Sequence, residues 1–263
     1  MPFTERNGHR IHYEVHGDAS LPPVLLVMGL GVSSSAWDLL PQRLGKFRVI
    51  TFDNRGSGKS SRGRRFVSRI HDLADDAAAV LDAAGVQRAA VFGISMGGMI
   101  ALELTLRHPE RVSRLALGAT FAGWLRSKKA SPRLLFDLLA LHIGEVDEER
   151  LGRFVVSTEW HTANPGRALA WLKSAGSMPL GSVIGQLLGV ALHSTDRRLA
   201  RITAPTLVLT GSSDRLIPPE NSRRLARAIP GARLVELQGA GHAFPLERES
   251  EVISALTEHF LVN

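Results

Sequence analysis

A chain of 263 residues, 44% of them hydrophobic, can bury a sizeable core, either as one domain or as a core with an insertion. It has no cysteine, which excludes disulfides, thiolate chemistry and Cys-ligated metal. The formal charge of +7 comes from basic residues scattered through helices and loops with no nucleic-acid fold signature, so it reads as a solubility feature and no nucleic-acid partner is expected. Pro23–Leu30, the strongest apolar run, is far too short to span a membrane. Met1–Asn7 lacks the charged-then-apolar pattern of an export signal. A cytoplasmic protein with no membrane partner is the expectation.

In chain order, Ile11–His16 alternates and reads as an early strand, and Val24–Met28 is a continuous apolar strand covered on both faces. Gly29-Leu30-Gly31-Val32 follows, and then a serine cluster that can cap a helix running through Trp37 to Leu44. Arg48–Phe52 is a further buried strand, and Asp72–Ala84 a helix ended by Gly85. Arg88–Phe92 reads as a short buried strand, Met96–Arg107 as a helix with apolar residues three and four apart, and Val112–Gly118 as an apolar strand. This alternation predicts an α/β fold with a mostly parallel sheet covered on both faces, the early strands forming an antiparallel edge.

From about Thr120 to Thr195 the alternation gives way to helices. Starts are expected at Ser131-Pro132, at Asp147 and at Asn164-Pro165, with a fourth helix over Leu180–His193. The apolar faces carry Phe136, Leu139, Phe154, Trp160, Trp171, Ile184 and Leu188, most of them expected to pack within the insertion. Alternation resumes with the strand Pro205–Thr210, the helix Pro219–Ile229, the strand Ala232–Leu237 and the helix Glu249–Leu261. The expected division is a core of residues 1–119 and 196–263, with residues 120–195 inserted as a helical cap.

One stretch concentrates the chemistry. In Gly93-Ile94-Ser95-Met96-Gly97 a serine stands between a strand end and a helix start with a glycine two residues away on each side. This is the pattern of a nucleophile elbow, where a strained turn lifts the hydroxyl clear of the sheet. A serine hydroxyl needs a base and a carboxylate to orient that base. Two late loops offer them at strand ends, Asp214 in Gly211-Ser212-Ser213-Asp214 and His242 in Gly239-Ala240-Gly241-His242. Asp53 also follows a strand, but its loop reads as structural. The amide of Met96, at the helix N-terminus, and that of Leu30, in the glycine-bracketed loop, are the candidate oxyanion donors. Gly58-Lys59-Ser60 mimics the end of a phosphate-binding loop, but the required first glycine would fall at Asp53, so nucleotide binding is rejected. No metal or other cofactor is expected.

With VLLVMGLG, FDNRGSGKS, FGISMGGMIALEL, APTLVLTGSSDRLIPPE and GAGHAFPLE in that order, the sequence resembles the α/β-hydrolase superfamily over nearly its whole length. It looks most like the small bacterial esterases that include 3-oxoadipate enol-lactonases, arylesterases and cofactor-free haloperoxidases. The resemblance implies Ser95 as nucleophile, His242 as base, Asp214 as its partner, Leu30 and Met96 as oxyanion donors, and the helical insertion as a lid. Met28 stands where the family often has histidine. The implied activity is hydrolysis of a small-molecule ester or lactone. A ligand receptor, a C–C bond hydrolase or a perhydrolase with the same triad are the alternatives. Trp124 and Phe244 are expected to line the pocket, with uncharged acyl groups preferred over dicarboxylates.

Overall fold

Strands whose residues are apolar on both faces can only be stable between two layers of helix, and that is how this chain folds. The computed structural model describes residues 2–63, 65–131, 155–176 and 178–261. The described strands are β1 (Phe3–Arg6), β2 (His9–His16), β3 (Pro23–Val27), β4 (Arg48–Phe52), β5 (Ala89–Ile94), β6 (Val112–Gly118), β7 (Thr206–Gly211) and β8 (Arg233–Leu237). They form an eight-stranded sheet of order β1-β2-β4-β3-β5-β6-β7-β8. β1 and β2 pair antiparallel, β2 joins β4 antiparallel, and the rest of the sheet is parallel.

The two-residue period of the strands sorts the core. Leu25, Val27, Ile50, Phe52, Val91, Leu115 and Leu117 point to one face, where the helices α2 (Ile70–Ala83) and α3 (Met96–Arg107) cover them. Val24, Leu26, Val49, Phe92, Ala116 and Leu207 point to the other, beneath the short helix α1 (Leu40–Arg43) and residues Val252, Leu256 and Phe260 of the C-terminal helix (Glu249–Leu261). Each fully buried Val, Leu, Ile or Phe side chain among these contributes roughly 1.5–3 kcal/mol. Gly85, at φ +67°, ends α2 in the left-handed conformation the sequence calls for.

Between β6 and β7 the described helices are α4 (Thr158–Ala163), α5 (Arg167–Ser174) and α6 (Leu180–Ala191). After β7 come α7 (Glu220–Ala228), α8 (Phe244–Glu247) and α9, the C-terminal helix. Among the described residues no helix is long and apolar enough to cross a membrane.

The sequence expectations differ from the structure at several elements. β1 was not anticipated, because its burial alternates between exposed and half-buried residues and gives no apolar run. The helix expected through Trp37 to Leu44 is broken into a 3₁₀ turn (Ser34–Trp37) and α1, because Asp38 takes φ +52° between them. α4 was not separately expected; Ser157 caps it by accepting a hydrogen bond from the Trp160 amide. Ile184 and Leu188 do not pack inward. α6 sits with Gly185 and Gly189 against the carbonyls of Phe66 and Ser68, so closely that a Cβ at either glycine would collide with them. That seating leaves Leu180, Ile184, Leu188 and Leu192, four residues apart, as an exposed row. The expected helix start at Asp147 and the residues Phe136, Leu139 and Phe154 lie outside the described residues, as does Pro132.

Candidate active site

The sheet order fixes where a site can form. The chain leaves β3 to one side for β4 and then crosses to the other side for β5, so the loops after β3 and β5 diverge at a topological switch point. The first of those loops is Met28–Gly31 and the second begins at Ser95.

Ser95 has φ +57° and ψ −124°, a conformation that costs energy for a residue with a Cβ. The surrounding backbone over-determines it. Its amide donates to the Gly118 carbonyl at 2.8 Å, and its carbonyl accepts from Thr120 Oγ1 at 2.7 Å. The flanking glycines are required by contact. A Cβ on Gly93 would strike the Gly97 carbonyl, and one on Gly97 would strike the Val27 carbonyl at the end of β3. The strand, the turn and the helix therefore pack with no room for side chains at the two glycine positions.

The Met28–Gly31 loop lies directly against the serine, since a Cβ on Gly29 would sit 3.2 Å from Ser95 Cβ. Among the described residues neither the Leu30 amide nor the Met96 amide donates to a protein acceptor. Both residues line the same cavity as Ser95. Two amides left free beside a serine hydroxyl are what a developing oxyanion requires.

The candidate base and acid, His242 and Asp214, stand in the loops after β8 and β7. His242 Nδ1 lies 2.8 Å from Asp214 Oδ2. Asp214 Oδ1 accepts from the amides of Leu216 and Ile217 at 2.9 and 2.8 Å, so both carboxylate oxygens are engaged. The Asp214 side chain is fully buried, whereas that of His242 is 11% exposed and faces the cavity that Ser95 lines. Asp53, the rejected carboxylate, accepts from the Ser34 amide and hydroxyl, from the Lys59 amide and from the His12 ring. It ties four segments together away from the cavity lining.

The cavity measures about 990 Å³, and its walls are mostly apolar, with Met99, Phe121, Trp171, Leu216 and Ile217 among them. Trp124 is on the wall, with Lys129 Nζ 5.0 Å above its ring. Phe244 is not. The turn of α8 sends Ala243, Pro245 and Leu246 to the cavity and Phe244 into the core. There its ring fills the space that Gly118 leaves, where a Cβ would come within 2.9 Å.

Three residues support this arrangement and were not singled out in the sequence. Asn54 Nδ2 donates to the Met28 carbonyl at 2.9 Å. Glu247 accepts from the Gly241 amide at 2.8 Å and from Ser157 Oγ at 2.6 Å, tying the His242 loop to the start of α4. Gln186, on α6, accepts from the Gly31 amide at 3.0 Å. A single carboxamide in the largely apolar stretch LGSVIGQLLGVA was the available signal for Gln186; Asn54 and Glu247 stand in the stretches FDNRGSGKS and GAGHAFPLE, whose spacing gives them no role.

The family described as alpha/beta hydrolase fold matches residues 22–249. A curated relative named "Putative carbamate hydrolase RutD", from Caulobacter sp. (strain K31), is 31% identical over 261 residues, covering 95% of each chain. Rhodomycin D methylesterase DauP from Streptomyces sp. (strain C5) is 33% identical over 281 residues, covering 92% of each. Among solved structures, the enol-lactonase from Burkholderia xenovorans LB400 superposes with a TM-score of 0.85 at 26% identity, covering 98% of this chain and 99% of that one. Sheet order, elbow and family match agree, and the chain belongs to the α/β-hydrolase fold family.

Proposed function

We propose that the protein is a serine hydrolase that cleaves carboxylic esters or lactones of small molecules through an acyl-enzyme. The observation that carries this reading is the convergence of the strained Ser95 and the Asp214-bound imidazole of His242 on one apolar cavity.

In the proposed cycle, Ser95 Oγ attacks the substrate carbonyl while His242 takes the hydroxyl proton on the ring nitrogen remote from Asp214. The charge that develops on the carbonyl oxygen is met by the amides of Leu30 and Met96. Collapse breaks the carbonyl–oxygen bond, and the leaving alkoxide takes the proton from His242. In a lactone that alkoxide stays tethered to the acyl group. Water, deprotonated by His242, then releases the acid by the same steps and restores the serine. Residues 120–195 act as a lid over the cavity in this reading. A methylesterase and an enol-lactonase among the relatives support ester or lactone chemistry, and a carbamate carbonyl would follow the same course.

A receptor or signalling role on the same scaffold is the second reading. The exposed row Leu180, Ile184, Leu188 and Leu192 favours it, because an apolar face on the lid suits a partner. A multiple-turnover time course over a library of esters, lactones and carbamates separates the two. Sustained turnover that is lost in Ser95→Ala is the expected result. A single burst stoichiometric with protein, followed by a stable complex, would favour the receptor.

A further inference from the structure

The loop that carries Leu30 is gripped from two sides. On the core side, Asn54 Nδ2 holds the Met28 carbonyl at 2.9 Å. On the other, the Gly31 amide donates to Gln186 Oε1 at 3.0 Å. The Gly29–Leu30 peptide, which bears the Leu30 amide, therefore lies between two peptide units that are each fixed by a buried side-chain amide. Gly31 itself has φ +79°, so the chain turns sharply at the point where Gln186 takes hold.

Gln186 is fully buried on a helix whose other residues, Ser182 apart, are apolar or glycine. Burying a carboxamide there is costly unless all of it is paired. It is paired on both sides: Nε2 donates to the Arg55 carbonyl at 3.1 Å and to Ser57 Oγ at 3.3 Å. The residue thus bridges the loop after β3 and the loop after β4 from a helix of the insertion. Gly185 and Gly189 seat that same helix on the Phe66 and Ser68 carbonyls without room for a Cβ, so helix and amide are placed together.

We propose that Gln186 is a positioning residue for the oxyanion site, tying the seating of α6 to the placement of the Leu30 amide. The assignment rests on the serine-hydrolase reading and extends it. Gln186 touches no reacting atom. Its effect runs through the Gly31 hydrogen bond to a donor that matters most in the transition state.

The test compares full-length wild type, Gln186→Met and Gln186→Glu, with Ser95→Ala as a control. Gln186→Met keeps the shape and removes every hydrogen bond. Gln186→Glu keeps an acceptor for the Gly31 amide but, when ionised, has no donor for the Arg55 carbonyl. For Gln186→Met, kcat on a p-nitrophenyl ester should fall roughly ten- to a hundredfold, less than full removal of an oxyanion donor. KM should change by less than about threefold, as for loss of an interaction made in the transition state. Affinity for a trifluoromethyl ketone, which forms an oxyanion on Ser95, should fall in parallel with kcat. A residue that only stabilised the fold would lower the melting temperature without changing that ratio. For Gln186→Glu, activity relative to wild type should rise as pH falls and the protonated carboxyl regains its donor.

A folded Gln186→Met with kcat within about twofold of wild type, or with lowered kcat but unchanged ketone affinity, would overturn the assignment. Should Gln186→Met not fold, Gln186→Glu decides, and a pH-independent ratio to wild type would overturn it. Turnover retained in Ser95→Ala would instead sink the serine reading itself. Loss of turnover in Ser95→Ala with Gln186→Met unimpaired would remove only Gln186.

Discussion

His242 Nδ1 and Asp214 Oδ2 are 2.8 Å apart, and the other oxygen of Asp214 is taken by two backbone amides, Leu216 and Ile217. The carboxylate can neither rotate away nor be satisfied by water, since its side chain is fully buried. Such an acceptor holds the imidazole with its proton on Nδ1 and its free nitrogen available as a base.

Asp214→Asn should therefore keep the fold and lower kcat by roughly 10³- to 10⁴-fold with little change in KM, because an amide presents a donor where the imidazole needs an acceptor. Asp53→Asn is the control. It should cost about 1–3 kcal/mol of stability by disturbing the Ser34, Lys59 and His12 contacts, and it should leave kcat near wild type in folded protein. Steady-state kinetics together with denaturant unfolding of both variants checks the pair. The reverse pattern would show that the wrong carboxylate has been assigned.

The cavity wall predicts the substrate preference. Apolar groups surround the serine, and several of the basic residues at the lining are already engaged. Lys128 pairs with Glu220, Arg43 pairs with Glu249, and Lys129 Nζ bonds to the Trp124 and Ser127 carbonyls. Neutral acyl groups should be turned over faster than dicarboxylates. In a series of linear acyl esters, kcat/KM should rise by up to about fourfold per methylene while the chain stays in contact with the wall, from roughly 0.8 kcal/mol per buried CH₂. A flat series, or faster turnover of acidic lactones, would count against this account of the wall.

A buried histidine links stability to pH. His193 lies beside Glu103, with Nδ1 3.7 Å from Oε1, and Glu103 is ion-paired with Arg198 at the foot of the insertion. Burial outweighs the attraction of Glu103 and lowers the His193 pKa to about 4. The folded state therefore takes up a proton later than the unfolded chain does. The stability this residue contributes is present above about pH 6.5 and is lost as pH falls towards 4. Between pH 7 and pH 5 the loss should be about 2 kcal/mol. Burial lowers the pKa of His259 as well, so the same direction holds there. Unfolding by denaturant at pH 7 and pH 5 should show His193→Gln losing distinctly less stability than wild type. Equal losses in the two proteins would contradict the assignment to His193.

Much of the fold was legible because the strands are apolar on both faces and the helices between them are amphipathic. β4, β6, α3 and α9 begin and end where the sequence pattern places them. The elements that escaped are those set by tertiary contact. The backbone reversal at Asp38 breaks an apparently continuous helix, and the half-exposed β1 is held by pairing with β2 and by the ion pairs of Arg6 with Asp75 and Asp76 on α2. Of the candidate site, the sequence showed that Ser95, Asp214 and His242 each follow a strand end; that His242 meets Asp214 and shares a cavity with Ser95 is visible only in the fold. Phe244 was misplaced because its direction depends on a one-turn helix that local pattern does not reveal. Asn54 and Gln186 act on backbone groups 26 and 155 residues away, and Glu247 joins the nearby Gly241 amide to Ser157 90 residues distant, relationships no local spacing encodes. Ile184 and Leu188 belong to an apolar set of which most members were expected to pack inward, and an apolar helix face gives no sign of which stripe a neighbouring loop will take.

The central claim is that Ser95 forms a covalent acyl intermediate. Rapid quenching during turnover of a p-nitrophenyl ester, followed by peptide mass spectrometry, tests it most directly. An acyl adduct on the peptide containing Ser95 should form and decay with turnover, accumulate in Asp214→Asn where deacylation becomes the slower step, and be absent from Ser95→Ala. Undiminished turnover in Ser95→Ala, or an adduct confined to another residue, would contradict it.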